Sequence, residues 1–408
     1  MSMFAEVEEL EPICEGLSDF IRAEVMTRHE RYPDLAIPAK TYDETGAYRP
    51  WVKDLLREVR MASAAAGYYA MSVPEEIGGG GLGFLAHFLG FERIFHMCGS
   101  KYWLGHTAIA HWAKGPSAVF LQGSEKVRRE ILPGLLSGEK SICFALSEPV
   151  AGSDATRIQT RAQERDGGWL LNGNKIWITN GPYADYAIIF AVTDQAAAAQ
   201  RKGGISAFLV PTDSPGFKVE SLINMWGHTG TDEGILVFED IRIEKHQLLG
   251  ELNKGFSLAM LGVGMGRLYN SAWGVGAGRW AVEQAIEYSK TRETFGQPIA
   301  SYQSVLFPLA ESMAELHSAR LAAQNVGHLL DTGQSAEKEL AMVKLIAVDA
   351  GMKAVDRAMQ VHGAMGFTNE MHLTDAYIYL RKVCIADGSR EILLRTIGKE
   401  LLKGNIAL

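Results

Sequence analysis

The step between apolar positions changes twice along the chain. From about Val7 to Gly138 it is the three-to-four-residue step of helices. Asp54 to Val59 leads into Ala-rich sequence. Ser124 stands where an N-cap would, ahead of Glu125 and of Arg128 to Leu132, with Pro133-Gly134 as the expected stop. Pro74 to Gly83, PEEIGGGGLG, reads as a loop between helices. From about Ser141 to Gly250 the runs are short, apolar and β-branched: Ala187 to Val192, Ile205 to Val210, Ile235 to Ile243. Asn172-Gly173, between Trp169–Leu171 and Lys175–Thr179, predicts a hairpin with a type I′ turn. No long helix separates these runs, so they predict an antiparallel β-domain and not a doubly wound sheet. From Gly255 onward the helical step returns. Leu340, Val343, Ala347, Ala350, Ala354, Ala358 and Val361 form one face of a long helix, with Ser335 as expected N-cap and Gly363 as stop. Leu309, Met313 and Leu316 mark another helix, in which Pro308 is tolerable only in the first turn. The reading is an α+β multidomain chain: a helical domain over 1–140, a middle antiparallel β-domain over 141–254 and a helical domain over 255–408.

Composition narrows the function. Lys plus Arg is 40 and Asp plus Glu 48 among 408 residues, a formal net charge of −8. An acidic chain without a basic tract argues against a nucleic-acid partner. No apolar stretch approaches the ~18 residues of a membrane span. The start, MSMFAEVEELEPICEGL, has no Arg before Arg22 and resembles neither a secretory signal nor a transit peptide. The end, Gly404 to Leu408, is not a peroxisomal address. Cys14, Cys98, Cys143 and Cys384 are scattered, which suggests reduced thiols and a cytoplasmic location. The 11 His show no HExxH, so no metal is expected.

Few motifs carry chemistry alone. Gly78 to Gly83 fits GxGxxG, but no βαβ pattern surrounds it, so a Rossmann site is set aside. Glu148 to Asp154, EPVAGSD, offers small residues and free N–H groups that could cradle an anion; it could equally be a turn capped by Asp154. Arg292 is either a phosphate ligand or half of a surface ion pair. Trp177 and Thr179, two apart on a strand, share a face that could line a flat ligand or simply pack.

Together the segments say more. FALSEPVAGSD (Phe144 to Asp154), NGNKIWITNGPYAD (Asn172 to Asp185), TRETFGQPI (Thr291 to Ile299), QVHGAMGF (Gln360 to Phe367) and IADGSREI (Ile385 to Ile392) resemble the signature blocks of the acyl-CoA dehydrogenase family, in order and at similar spacing. PEEIGGGGLG, GSEKVRREILPGLLSGE and VFEDIRIEKHQLLGE extend the resemblance over nearly the whole chain. It implies an N-terminal helical domain, a middle β-domain and a C-terminal four-helix-bundle domain. It further implies bound FAD, an acyl-CoA substrate, an electron-transfer flavoprotein as acceptor, and a homotetramer built as a dimer of dimers. Carried over residue by residue, Phe144, Leu146, Ser147, Ser153, Trp177 and Thr179 would hold the isoalloxazine. Arg292, Thr294, Tyr302, Gln303, Gln360, Gly363 and Ala364 would hold the pyrophosphate and adenosine, partly across a subunit boundary. Ser389 and Glu391 would complete the FAD site. Ser153 and Arg267 match positions that bind the CoA thioester, and Lys399 stands where the family has an Arg.

The family reaction removes the α-proton of the thioester while the β-hydrogen leaves as hydride. That needs a positioned carboxylate and donors for the developing enolate oxygen. Most members place Glu before Gly-Thr; this chain has Asp387-Gly388-Ser389. The resemblance makes Asp387 the base, on a side chain shorter by one C–C bond, ~1.5 Å. A second family position for the base, just before Arg267, is Gly266 here. Should Asp387 fail, the search for a base begins with His106. An oxygen-reactive relative, such as an acyl-CoA oxidase or nitroalkane oxidase, and a non-redox acyl-CoA-binding relative are the alternatives. Nitroalkane oxidases share an Asp base, but their Arg seven residues later is Leu394 here. Tyr102, Trp103, His106, His111 and Trp112 fall in the region of the acyl-pocket wall, where rings either shorten a pocket or pack a helical core.

Overall fold

Both changes of period coincide with a change of element. The computed structural model describes residues 2–227 and 230–407; Leu408, the last residue of the GNIAL end, lies outside the described residues. The chain forms two units. One comprises Met1–Arg31, Leu82–His106 and Gly264–Leu408, and the other Tyr32–Gly81 and Thr107–Val263.

The second unit carries an eight-stranded sheet: β1 (Ile142–Ala145), β2 (Arg161–Arg165), β3 (Gly168–Thr179), β4 (Tyr186–Val192), β5 (Ile205–Pro211), β6 (Phe217–Leu222), β7 (Glu233–Ile243) and β8 (Leu248–Leu249). The order is β6-β7-β3-β2-β4-β5-β8, with β1 also paired to β4. Most ladders are antiparallel, as expected; β4 adds parallel pairing to β1 and, at Val192, to Arg161 of β2. β4 reads YAIIFAV because it is buried at every position after the first. Phe208, Phe238 and Leu236, each at most 2% exposed, centre the core under the sheet. Burial of each such side chain contributes ~1.5–3 kcal/mol.

The expected hairpin at Asn172-Gly173 is corrected. β3 runs straight through that dipeptide, and the two-residue turn is Asp166-Gly167, which joins Arg165 to its partner Gly168. Asp166 and Gly167 have φ of 51° and 77°, the two positive angles a type I′ turn requires. Asn172-Gly173 instead marks a register shift against β7. Asn172 exchanges 2.9 Å hydrogen bonds with Asp240 across that shift.

The first unit is helical. Its main helices are Met3–Phe20, Gly83–Cys98, Gln303–Asp331, Glu337–His362, Leu373–Val383 and Arg390–Leu402, with most of Gly255–Thr291. The Ala face of Glu337–His362 is buried from Leu340 to Ala358. It meets the Gly255–Thr291 helix where glycines face each other: a Cβ on Gly351 would lie 2.3 Å from the Gly274 oxygen. Asp331, ending its own helix, accepts from the N–H groups of Phe84 (2.6 Å) and Leu85 (2.9 Å) and so caps Gly83–Cys98.

Local expectations are corrected at several points. Ala336, not Ser335, precedes Glu337, and no side chain caps that helix; Gly363, at φ 60°, does end it. Pro308 is the sixth residue of its helix, beyond the first turn. Met313 is 42% exposed while Leu309 and Leu316 are buried; on a 3.6-residue period it falls about 40° from Leu309, at the rim of that face. Ser124 does cap Glu125–Glu130, but Pro133 opens a further short helix, Leu132–Leu136. No helix among the described residues is long and apolar enough to cross a membrane.

Candidate active site

Asp387 sits in the turn between Leu373–Val383 and Arg390–Leu402. Its φ is 51° and that of Gly388 is 104°. Left-handed backbone is costly for most side chains, though Asp tolerates it better than longer ones. Three neighbours hold the turn. The Lys344 ammonium donates to the carbonyls of Ala386 and, at 2.7 Å, Gly388. Arg267 Nε donates to the Asp387 carbonyl at 3.2 Å. Cationic donors thus hold three successive carbonyls. The carboxylate itself meets a neutral donor: Asn270 Nδ2 to Asp387 Oδ2, 2.8 Å.

Burial pushes the Asp387 carboxyl above its ordinary value, and outweighs Lys344, the Asn270 hydrogen bond and Arg267, all of which lower it. Asp387 keeps some exposure as a residue, yet its carboxyl is packed closely enough for desolvation to dominate. Burial also brings Lys344 down to about 8, against the raising effect of Asp387. A carboxylate raised by burial, with its main chain locked, suits general-base work.

Asn270 and Lys344 were not singled out from sequence. The signal for Lys344 was its place within the apolar face between Val343 and Ala347; 1% exposed, it is a cation at a core position. Asn270 lies three residues after Arg267, one turn along the same helix. Only contact with residue 387 gives either a meaning. Ser389 directs its hydroxyl to Glu391, 2.8 Å, at the mouth of the last helix. Lys399 is exposed further along it. His106 engages the Gly99 carbonyl through Nε2 at 2.9 Å and packs against Phe95 and Trp273. Tyr102 and Trp103 pack on His29.

A second group of expected residues lies at the far end of the same unit. Arg292 follows the Gly255–Thr291 helix; Tyr302 donates to the Thr294 carbonyl at 3.0 Å, with Gln303 beside it. The Tyr288 and His362 rings meet at 4.6 Å between centres, tilted by 31°, so Gln360, Gly363 and Ala364 share this end. Arg292, Gln303, Gln360, Gly363 and Ala364 are all exposed. Among the described residues no carboxylate pairs with Arg292. From Arg267 to Arg292 the helix runs 25 residues, about 37 Å at ~1.5 Å per residue. No single dinucleotide spans that length.

The sheet unit holds the remainder. Trp177 lies at a register shift of β3, at φ 62° with its side chain 55% exposed, and Thr179 follows two residues on. Phe144 is buried against Trp112 and Phe190, and His111 lies beside Trp112. The Leu146 side chain is also buried, so these two offer a ligand main chain rather than side chain. Ser147 is half-exposed and Ser153 exposed. The segment is fixed from below, by a pair not foreseen from sequence. Lys175 Nζ donates to the Leu146 carbonyl and to Glu148, both 2.8 Å, and Glu148 accepts from the amides of Gln159 and Thr160. Asp154 pairs with Arg201 at 2.7 Å, which makes the end of EPVAGSD a tied-down turn. An exposed indole suits a flavin ring, although the register shift at Trp177 breaks the alternation that was expected to set Thr179 on the same face. An unpaired, exposed guanidinium among hydroxyl and amide donors suits a diphosphate. Among the described residues no cluster of His, Cys, Asp and Glu could hold a metal.

Comparisons with known proteins identify the family. Family models for the acyl-CoA dehydrogenase N-terminal, middle and C-terminal domains match residues 8–139, 143–241 and 253–402. The mitochondrial short-chain specific acyl-CoA dehydrogenase of Homo sapiens is 38% identical over 337 residues, 83% of this chain and 80% of that protein. The CarC subunit of the caffeyl-CoA reductase–Etf complex of Acetobacterium woodii is 32% identical over 349 residues, 85% of this chain and 90% of its own. The crystal structure of a glutaryl-CoA dehydrogenase from Mycobacterium smegmatis in complex with FADH2 superposes with a TM-score of 0.81 at 26% identity, covering 97% of this chain and 95% of that one. With its three domain models in order and its sheet and helices arranged accordingly, the chain belongs to the acyl-CoA dehydrogenase family of oxidoreductases.

Proposed function

We propose that the chain dehydrogenates an acyl-CoA thioester to the 2-enoyl-CoA, with FAD as cofactor and Asp387 as the base. Bound FAD supplies the acceptor for the β-hydrogen, as hydride. The chain's own residues do the rest. Asp387 takes the α-proton, and its elevated pKa narrows the gap to that weak acid. Trp177 and Thr179 with the Leu146–Ser147 main chain would hold the flavin ring, and Ser153, Arg267 and Lys399 would serve the CoA thioester. Arg292, Thr294, Tyr302, Gln303 and Gln360 to Ala364 hold the diphosphate and adenosine of a neighbouring copy, because about 37 Å of helix separates them from Asp387. The reading is therefore a homo-oligomer, a tetramer in the family pattern. Phe295 (97%), Phe307 (53%) and Phe367 (80%), exposed around Arg292 and Gln360, support a partner surface there. Electrons then pass to an electron-transfer flavoprotein; CarC, a subunit of an Etf complex, supports that acceptor.

The observation that carries this reading is the Asp387 turn, with three carbonyls held by cations and the carboxylate held by an amide. CarC belongs to a reductase, which favours one second reading: the same site run in reverse, saturating an enoyl-CoA. Anaerobic addition of an acyl-CoA panel to the purified protein tests the first. Flavin bleaching that persists in air is the expected result. Rapid reoxidation with peroxide would point to an oxidase. Bleaching only by dithionite, followed by recovery with an enoyl-CoA, would establish the reverse reaction. In Asp387→Asn, flavin reduction by the best acyl-CoA is expected to fall at least ~100-fold with FAD still bound.

A further inference from the structure

We propose that Asn270 is a positioning residue for the base: its amide holds Asp387 Oδ2, so that Oδ1 is the oxygen presented to the substrate. This rests on the reading of Asp387 as base. Asn270 is 2% exposed on the Gly255–Thr291 helix, and a buried amide is destabilising unless it is hydrogen-bonded. Its side-chain donor meets the Asp387 carboxylate at 2.8 Å.

The division of labour around the turn gives that contact its purpose. Lys344, from Glu337–His362, and Arg267, from Gly255–Thr291, carry the positive charge facing Asp387. Both direct donors to main-chain carbonyls. They fix the backbone of residues 386–388 and make no bond to the side chain. Cys384, in the same turn, faces Lys344, and Glu337 faces Arg267. The carboxylate thus receives its direct bond from an uncharged group. A cation there would bind the anion strongly and depress its basicity. An amide sets orientation at a smaller cost in basicity. A short side chain has little reach with which to correct a wrong rotamer, and a misplacement of ~1 Å can cost ~100-fold in rate. An orienting partner matters more to Asp than to a longer carboxylate.

The test is anaerobic stopped-flow reduction of the FAD-loaded enzyme by its best acyl-CoA, with Asn270→Leu, Asn270→Ser, Asp387→Asn and Asp387→Asn/Asn270→Leu. The limiting reduction rate of Asn270→Leu should fall about 10- to 100-fold, with FAD content and acyl-CoA affinity unchanged. Removing a bond to the charged form raises the pKa of the base. The rising limb of the rate–pH profile should therefore move to higher pH, a shift that a packing defect would not cause. Asn270→Ser, which keeps a donor and is smaller, should recover part of the rate and tests the idea even if the Leu variant folds poorly. In the Asp387→Asn background, Asn270→Leu should cost nothing more. A wild-type rate and pH profile in both Asn270 variants, with Asp387→Asn inactive, would overturn the role of Asn270 and leave the base standing. Full activity in Asp387→Asn would overturn the base itself, and this role with it.

Discussion

Buried lysines hold main chain in this protein, Lys344 and Lys175 among them. Lys344 ties residues 386 and 388, and Lys175 ties Leu146 while pairing with Glu148. The side chains of Lys175 and Glu148 are 0% and 3% exposed. Burial lowers Lys175 to about 8, against the raising effect of Glu148. The Glu148 carboxyl is held below its ordinary value, because Lys175 and the hydrogen bonds from Thr160 and Gln159 outweigh burial. Lys175→Met strands a buried carboxylate and is expected to cost ~3–5 kcal/mol in denaturant unfolding. Glu148→Gln with Lys175→Met should recover much of that; a double variant as unstable as the single one would refute the pairing argument. The pH dependence follows from the signs. The stability that Glu148 contributes is present above the ordinary carboxylate pKa and is lost as pH falls through its lower folded value. Glu148→Gln should remove that part of the acid-unfolding profile. Lys175 and Lys344 give a slope of the same sign in an alkaline window. Between about 8 and 10.5 the unfolded chain binds more protons at these sites, so their contribution favours folding increasingly as pH rises. The resemblance to known blocks marked Asp387 in the sequence, because the residue lies inside one block. It did not mark Asn270 or Lys344, whose roles depend on residues 117 and 44 positions away.

Between elements, close approach decides. The Gly255–Thr291 and Glu337–His362 helices cross with Gly274 against Ala347 and Gly351, where any Cβ would meet a carbonyl oxygen at 2.3 Å. Gly351→Ala should force them apart and destabilise by ~1–3 kcal/mol. The displacement would reach Lys344, two turns earlier, so flavin reduction should slow although residue 351 lies away from the base. Gly398→Ala is the control: nothing lies within 4 Å of a Cβ there, and a helical Gly→Ala exchange stabilises by ~0.5–1 kcal/mol. Urea midpoints moving the same way in both variants would refute the crossing argument. The Ala face of this crossing was legible in the sequence because its period is long and regular. The hairpin was not, because Asp166-Gly167 and Asn172-Gly173 carry the same turn chemistry. Cross-strand pairing to β7, which is remote in sequence, decides which of them turns.

For the whole molecule, family and fold were legible because the blocks are long and ordered. The assembly of the site was not, because one long helix places its two groups of residues at opposite ends. If the Arg292 group serves another copy, Arg292→Ala should weaken FAD retention while flavin that remains bound is reduced at a near-native rate. Retention equal to wild type would leave Arg292 without that role. The helix length has a genetic corollary. Asp387→Asn and Arg292→Ala each damage every site of their own homo-oligomer. In a mixed pair, the chain that keeps Asp387 receives an intact Arg292 from its partner, and that site is whole. The other site carries both lesions. Two defective alleles expressed together should complement each other, as lesions in the two halves of a shared centre do and lesions within one self-contained centre do not.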